Sequence, residues 1–183
     1  EQGYAKLNID SWFGSGPVIK PAALVQFKET ATAKVLWRTD VGSADKAVFA
    51  PLISDTVIFA AASGGNITRI DGADGKQLGR FDAKSRLSGG VGGDRRMVVV
   101  GSPKGEVLAF DYSGKPLWTA QINSDILSAP RIEGDMVVVR SGDGRLFGFD
   151  AADGTRKWVY QRTLPPLTVR THVGVQTYRG GLF

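Results

Sequence analysis

The sequence predicts an all-β fold of four-stranded antiparallel sheets repeated along the chain, and three observations carry that prediction. The first is a period near 40 residues: Asp71 and Asp111 lie 40 apart, Asp111 and Asp150 39 apart, and Trp37, Leu78, Trp118 and Trp158 step by 41, 40 and 40. The second is a recurring order of turn and strand. Residues 141–158 read Ser141, then a run from Arg145 to Phe149, a polar corner from Asp150 to Gly154 and a second run carrying Trp158, and residues 102–118 and 63–78 follow the same order. The third is the character of residues 57–60, 97–100 and 136–139, which are continuously apolar instead of alternating. Such strands are buried on both faces, so each sheet needs a neighbour on either side. A lone sheet would leave half of that surface wet, and burying one Val or Ile is worth about 1.5–3 kcal/mol. A fixed period of this length in an all-strand pattern belongs to a propeller, with one supersecondary unit per repeat.

Taken in order, residues 1–33 do not follow the repeat. Pro17, Pro21 and the glycines at 14 and 16 read as an irregular arm or linker ahead of a partial propeller over 34–183. Residues 35–41 match an outermost blade strand without a preceding blade, and so are expected to close a ring. Three blades follow, at about 49–82, 88–121 and 128–161. Their strands are placed at 50–53, 56–61, 66–70 and 77–81; at 89–92, 97–101, 106–110 and 116–121; and at 129–132, 136–140, 145–149 and 156–161. The joints carry Gly, Asp and Asn, the residues that adopt φ > 0 or bond their own turn backbone. A fourth blade begins at 171–183, and its second strand is cut by the end of the sequence, which is expected to be a fragment.

Composition narrows the function. The chain has 183 residues, 42% of them hydrophobic, with 24 glycines and no cysteine, which excludes disulfides, thiolate metal sites and cysteine nucleophiles. The net charge of +5 comes from basic residues scattered singly, with no basic run interleaved with aromatics, so no nucleic-acid partner is expected. The corners at 71–75 and 150–154 lack the alternate ligands and distal Glu of a calcium loop and read as turns. His172 is the only histidine, so neither a zinc site nor a Ser-His-Asp triad can be assembled elsewhere, and no Gly-x-Ser-x-Gly elbow is present. The glycines of residues 89–93 lack a following helix and a Gly-Lys-Ser/Thr signature; close strand packing near a propeller axis accounts for them. Trp37, Trp118 and Trp158, with Leu78 in the remaining place, read as inter-blade packing. Neither cofactor nor metal is expected.

One segment breaks the repeat. Residues 164–170, Leu-Pro-Pro-Leu-Thr-Val-Arg, hold two prolines that deny ladder bonds, yet present Leu164, Leu167 and Val169 beside Arg170. Apolar groups next to an arginine on a stiff surface loop suit a protein-docking hot spot.

The repeat Gly-x-Leu-x-x-Phe-Asp-x-x-x-Gly-x-x-x-Trp resembles that of the quinoprotein-type eight-bladed propellers, and the loop at 164–170 after the third blade resembles that of the BamB family of outer-membrane assembly lipoproteins. The resemblance spans residues 35–183, about the first half of an eight-bladed ring. It implies a non-enzymatic scaffold at the periplasmic face of the outer membrane, docking on the POTRA domains of BamA through Leu167, Val169 and Arg170, beside which the loop's own apolar pattern sets Leu164, with unfolded outer-membrane proteins as a further partner. It also implies membrane association through a lipid anchor upstream of Glu1. Thr171 and His172 stand where the family commonly has glycine directly after the arginine. The alternative is a quinone-dependent dehydrogenase sharing the repeat; the vicinal cysteines of many such enzymes and a polar metal-binding cluster are missing here.

Overall fold

A computed structural model describes residues 31–161, 172–178 and 181–182. The chain divides into two compact units, Glu1–Lys34 and Val35–Phe183. Of the first, the described residues 31–34 are exposed and carry no regular element. The second holds three four-stranded antiparallel sheets, each with its strands side by side in chain order. Blade 1 is β1 (Leu52–Ser54), β2 (Val57–Ala61), β3 (Asn66–Asp71) and β4 (Gln77–Asp82). Blade 2 is β5 (Gly89–Gly93), β6 (Val98–Gly101), β7 (Glu106–Phe110) and β8 (Pro116–Gln121). Blade 3 is β9 (Arg131–Glu133), β10 (Met136–Arg140), β11 (Leu146–Asp150) and β12 (Arg156–Tyr160). A hairpin of β13 (Thr177–Tyr178) and β14 (Gly181–Leu182) follows. The inner strands of blades 1 and 3 begin two residues later than the repeat predicts, and within the blade expected over 171–183 the described residues pair Thr177 with Leu182 and Tyr178 with Gly181.

The period-2 alternation inside blade 2 explains why the blades stack. Val98, Val100, Leu108 and Phe110 pack with Phe59, Ala61 and Ile67 of blade 1. Met97, Val99, Val107, Ala109 and Trp118 pack with Val137, Val139, Phe147 and Phe149 of blade 3. Successive side chains of one strand therefore feed two different cores, and Val98, Val99 and Val100 are all 0% exposed. At the inner ends, Ala50 N donates to Gly90 O at 2.9 Å and Val91 N to Ala50 O at 2.6 Å, which draws blades 1 and 2 together. The glycines of β5 serve this approach: a Cβ on Gly89 would lie 2.7 Å from Ser128 O, and one on Gly92 would overlap Pro130 O. Close strand packing is thus their observed role.

Each seam is also fastened at its outer rim. Trp118 reaches from β8 to the β11–β12 turn, where its Nε1 donates to Ala151 O at 2.9 Å and its ring covers Gly154. Trp37 does the same for blade 1, donating to Gly72 O at 3.0 Å and covering Gly75. Residues 35–41, expected as a closing strand, carry no ladder among the described residues; Val35 and Leu36 are 62% and 81% exposed. A ladder needs a free strand edge as partner, and none of the described edges is presented to this segment. Side chains hold it instead: Trp37 on the turn, the Thr39 hydroxyl on Gly75 O, and Gln77 Nε2 donating to Asp40 O.

The seam between blades 1 and 2 is fastened differently, and the register corrects the sequence reading there. Trp118 pairs with Ala109 and Trp158 with Gly148, but the residue paired with Arg69 is Gly79, not Leu78. A one-residue shift in a strand turns a side chain to the other face, and Leu78, like Leu117 in β8, is 43–44% exposed. With no indole at 79, the bulk has moved across the ladder. Arg69 Nη1 donates to Tyr112 O at 3.0 Å, the carbonyl corresponding to Gly72 O and Ala151 O. Phe81 fills the space over Gly114 and lies 5.3 Å from the Phe110 ring.

Two outcomes are expected in chemical denaturation of the full-length protein. Gly134 and Gly154 both have positive φ, at 57° and 75°, but a Cβ on Gly134 meets nothing whereas one on Gly154 lies 2.5 Å from the Trp118 ring. Gly134→Ala should cost about 1–2 kcal/mol of left-handed strain, and Gly154→Ala a further 1–3 kcal/mol, roughly, of overpacking; equal costs would mean that the indole does not require the glycine. Arg69→Ala should cost about 1.5–3 kcal/mol through the lost charged donor. Gly79→Trp should destabilise alone but recover stability when combined with Arg69→Ala, a non-additivity that a double-mutant cycle reads directly.

Candidate docking face

Because the strands alternate in direction, the β2–β3, β6–β7 and β10–β11 turns and the connectors from each outer strand to the next inner strand all gather at one end of the blades. The turns open on Ser63, Ser102 and Ser141, at most 5% exposed, and close on Gly65, Gly105 and Gly144, whose φ values of 107°, 84° and 84° suit glycine. The hydroxyl of Ser102 accepts from the N–H groups of Lys104 and Glu106, and that of Ser141 from Arg145 N. A short polar residue at the head of the turn thus satisfies the backbone that the tight reversal exposes.

The first two connectors are stapled onto these turns. After blade 1, Ala83 N donates to Gly65 O at 2.9 Å and Leu87 N to Ser63 O at 3.0 Å. After blade 2, Ile122 N donates to Gly105 O at 2.9 Å and Ile126 N to Ser102 O at 3.2 Å. Links between blades tighten the same end: Ser88 Oγ donates to Ile126 O at 2.7 Å, Gly142 N to Asp125 O at 2.8 Å, and Ser85 Oγ to Glu106 Oε2 at 2.5 Å. The Ser85 and Ser102 hydroxyls hold the Glu106 carboxyl below the ordinary glutamate range.

The third connector carries the residues singled out in the sequence. Leu164, Leu167, Val169 and Arg170 lie outside the described residues. Its two roots are described. Gln161 follows the outermost strand of blade 3, and the other root reaches the inner side: Arg140 Nη1 donates to Val173 O at 2.7 Å, and Gly174 comes up to Ser128 and Ala129. The third connector thus joins two roots on opposite radial sides of a blade, about 14 Å apart for four strands. It is longer than its sisters, which run from Asp82 to Gly89 and from Gln121 to Ser128.

His172 is exposed at the inner root and lines two clefts. One, of about 360 Å³, has Leu127 and Pro103 in its wall and Lys46, Arg86 and Asp45 around it; the other, of about 410 Å³, lies among the inner strands, lined by Ile53, Val91, Pro130 and Val175. Arg86 is occupied by Asp45 at 3.2 Å. Among the described residues no group of His, Asp and Glu is arranged to hold a metal ion. Nor is any helix among them long and apolar enough to cross a membrane. The serine-headed turns and the staples were not singled out from the sequence as features of this face, although the recurrence of Ser63, Ser102 and Ser141 was visible there.

Comparison with known proteins places this architecture. The family model described as outer membrane protein assembly factor BamB matches residues 20–78 and 63–183. The BamB of Nitrosomonas eutropha is 41% identical over 90% of this chain and 40% of its own length. That of Bordetella pertussis is 38% identical over 83% of this chain and 39% of its own length. The chain thus spans about 40% of the length of these curated relatives. Among solved structures, the BamB of Moraxella catarrhalis superposes with a TM-score of 0.66 at 24% identity, covering 72% of this chain and 40% of that one. The quinohemoprotein alcohol dehydrogenase of Comamonas testosteroni reaches a TM-score of 0.54 at 23% identity, covering 64% of this chain and 21% of its own, a likeness of fold alone. The serial four-stranded blades, their rim fastenings and the match along nearly the whole sequence converge: the chain belongs to the BamB family of outer membrane protein assembly factors.

Proposed function

We propose that the chain is part of a non-enzymatic scaffold that assists outer-membrane β-barrel assembly at the periplasmic face of the outer membrane, and that it docks on the POTRA domains of BamA through the connector after blade 3. The observation that carries this reading is the contrast between connectors. Two are short and stapled to their own turns, whereas the third is longer in sequence and carries Leu164, Leu167, Val169 and Arg170. The rigid turns of three blades give that loop a fixed base, which lowers the ordering cost of binding. In the docked state Leu164, Leu167 and Val169 enter an apolar groove of the partner, and the Arg170 guanidinium donates to a carboxylate or carbonyl at its edge. Membrane attachment, in this reading, comes from a lipid anchor upstream of Glu1.

Leu167→Ala and Arg170→Ala in the full-length protein should each weaken binding to purified POTRA domains by at least about tenfold, the 1.5–3 kcal/mol scale of a charged hydrogen bond or a buried leucine. Thermal melting should stay within about 1 °C of the parent, as expected for surface substitutions. Unchanged affinity in both variants, measured by calorimetry, would remove the loop from the interface.

A further inference from the structure

The end of the blades opposite the candidate docking face gathers the β1–β2, β5–β6 and β9–β10 turns of the inner hairpins and the β3–β4, β7–β8 and β11–β12 turns of the outer ones. There the two seams are finished differently. Tyr112 and Ala151 hold one position of the repeat, each directly after the corner aspartate, Asp111 or Asp150. In the seam between blades 1 and 2 the Tyr112 ring packs edge-on against Phe59 of blade 1, with centroids 4.7 Å apart, and its hydroxyl donates to Asp94 O at 2.6 Å. In the seam between blades 2 and 3 the counterpart is a methyl group. A cleft of about 540 Å³ opens over it, lined by Arg96, Met97 and Leu117 of blade 2 and by Asp135 and Asp150 of blade 3.

The walls of this cleft favour an aromatic occupant. The Arg96 guanidinium is fixed by three contacts: Nε donates to Asp94 Oδ2 at 2.8 Å, Nη1 to Asp135 Oδ1 at 3.0 Å and Nη2 to Gly134 O at 2.7 Å. Bonds in the guanidinium plane leave its faces able to stack on a ring, and a side chain already held loses little freedom in doing so. Met97, 6% exposed, adds a thioether, which also favours ring contacts. Leu117 gives apolar surface at the mouth, where it is 44% exposed. Asp135, its side chain 93% exposed, sets a carboxylate there. We propose that this cleft receives an aromatic side chain of a partner polypeptide with a lysine or arginine beside it. The ring takes the place that corresponds to Tyr112 in the neighbouring seam, against Arg96 and Met97, and the basic neighbour meets Asp135. The site stands at the other end of the blades from the connector after blade 3 and is independent of the docking role proposed above.

The probe is the blocked peptide acetyl-Lys-Tyr-Lys-amide, titrated into full-length protein with isotope-labelled methionine methyl groups. A bound ring should shift the Met97 methyl resonance saturably, with an affinity on the order of 1 mM, the scale of a single anchored side chain. Acetyl-Lys-Leu-Lys-amide should bind about fivefold more weakly or worse, because it brings no ring to Arg96. No response to the tyrosine peptide, or an equal response to both, would overturn the proposal. Ala151→Tyr gives the seam its sister's side chain: the Met97 methyl should be shifted without peptide, the response to peptide lost, and the melting temperature held or raised. Peptide binding retained in that variant would also overturn the site. Asp135→Asn, which keeps an acceptor for Arg96, carries the test if Ala151→Tyr fails to fold. Its affinity for the tyrosine peptide should fall about twofold to fivefold, the scale of an exposed ion pair, and an unchanged affinity would count against the site.

Discussion

Everything in this chain follows from central strands that are apolar on both faces. A strand such as Val98–Gly101, with no exposed residue, cannot be satisfied by its own sheet. It requires a second sheet on each side, and each of those requires another. The alternation of odd and even positions in β6 and β7 makes this physical: one set of side chains belongs to the core shared with blade 1, the other to the core shared with blade 3. Stability in such an array resides in seams more than in blades, and the rim fastenings, turn serines and connector staples are ways of closing seams at their wet ends.

The seams share a geometry but not a chemistry. Between blades 2 and 3 an indole supplies both bulk and donor. Between blades 1 and 2 the two roles are divided: Phe81 supplies bulk over Gly114, and Arg69 supplies the donor to Tyr112 O. The exchange is possible because paired positions across β3 and β4 trade volume. Arg69 is large where Ala109 and Gly148 are small, and Gly79 is empty where Trp118 and Trp158 are full. The conserved quantity from seam to seam is an acceptor carbonyl that receives a donor and a glycine that receives a ring.

This division explains what could and could not be read in the sequence. Period, blade number and the turn residues were legible because they are local: Gly, Asp and Ser at tight reversals, and apolar runs between them. The Trp118 and Trp37 contacts follow from the period as well. The position of Leu78 did not, because the β7–β8 turn is one residue shorter than the β3–β4 and β11–β12 turns, so Gly79 and not Leu78 corresponds to Trp118, and an even 40-residue step hides that difference. Residues 35–41 look like a blade strand because they carry the same Trp, but ladder formation depends on a partner edge that composition cannot announce. The candidate loop was legible as an interruption of the repeat. Its relation to the face around it was not, because the staples joining connector to turn are backbone bonds, and backbone bonds leave no residue signature except where proline forbids them.

That exception is the link between the scaffold and its proposed work. An array of near-identical blades presents near-identical ends, and such an end has no preferred place for a partner to bind. Specificity must come from breaking one repeat while leaving its neighbours intact, so that a single segment is free to make contacts and its base stays rigid. Blade 3 retains its serine-headed turn, its outer strand and its seam with blade 2 through Phe147 and Phe149. The break in the repeat is confined to the sequence of the connector, where Pro165 and Pro166 stand among Leu164, Leu167 and Val169. A change of sequence there leaves the two-sided cores of the described blades untouched, because those cores are built from other strands. A repeat protein can therefore acquire a docking loop by changing the sequence of one connector, without rebuilding the fold that carries it.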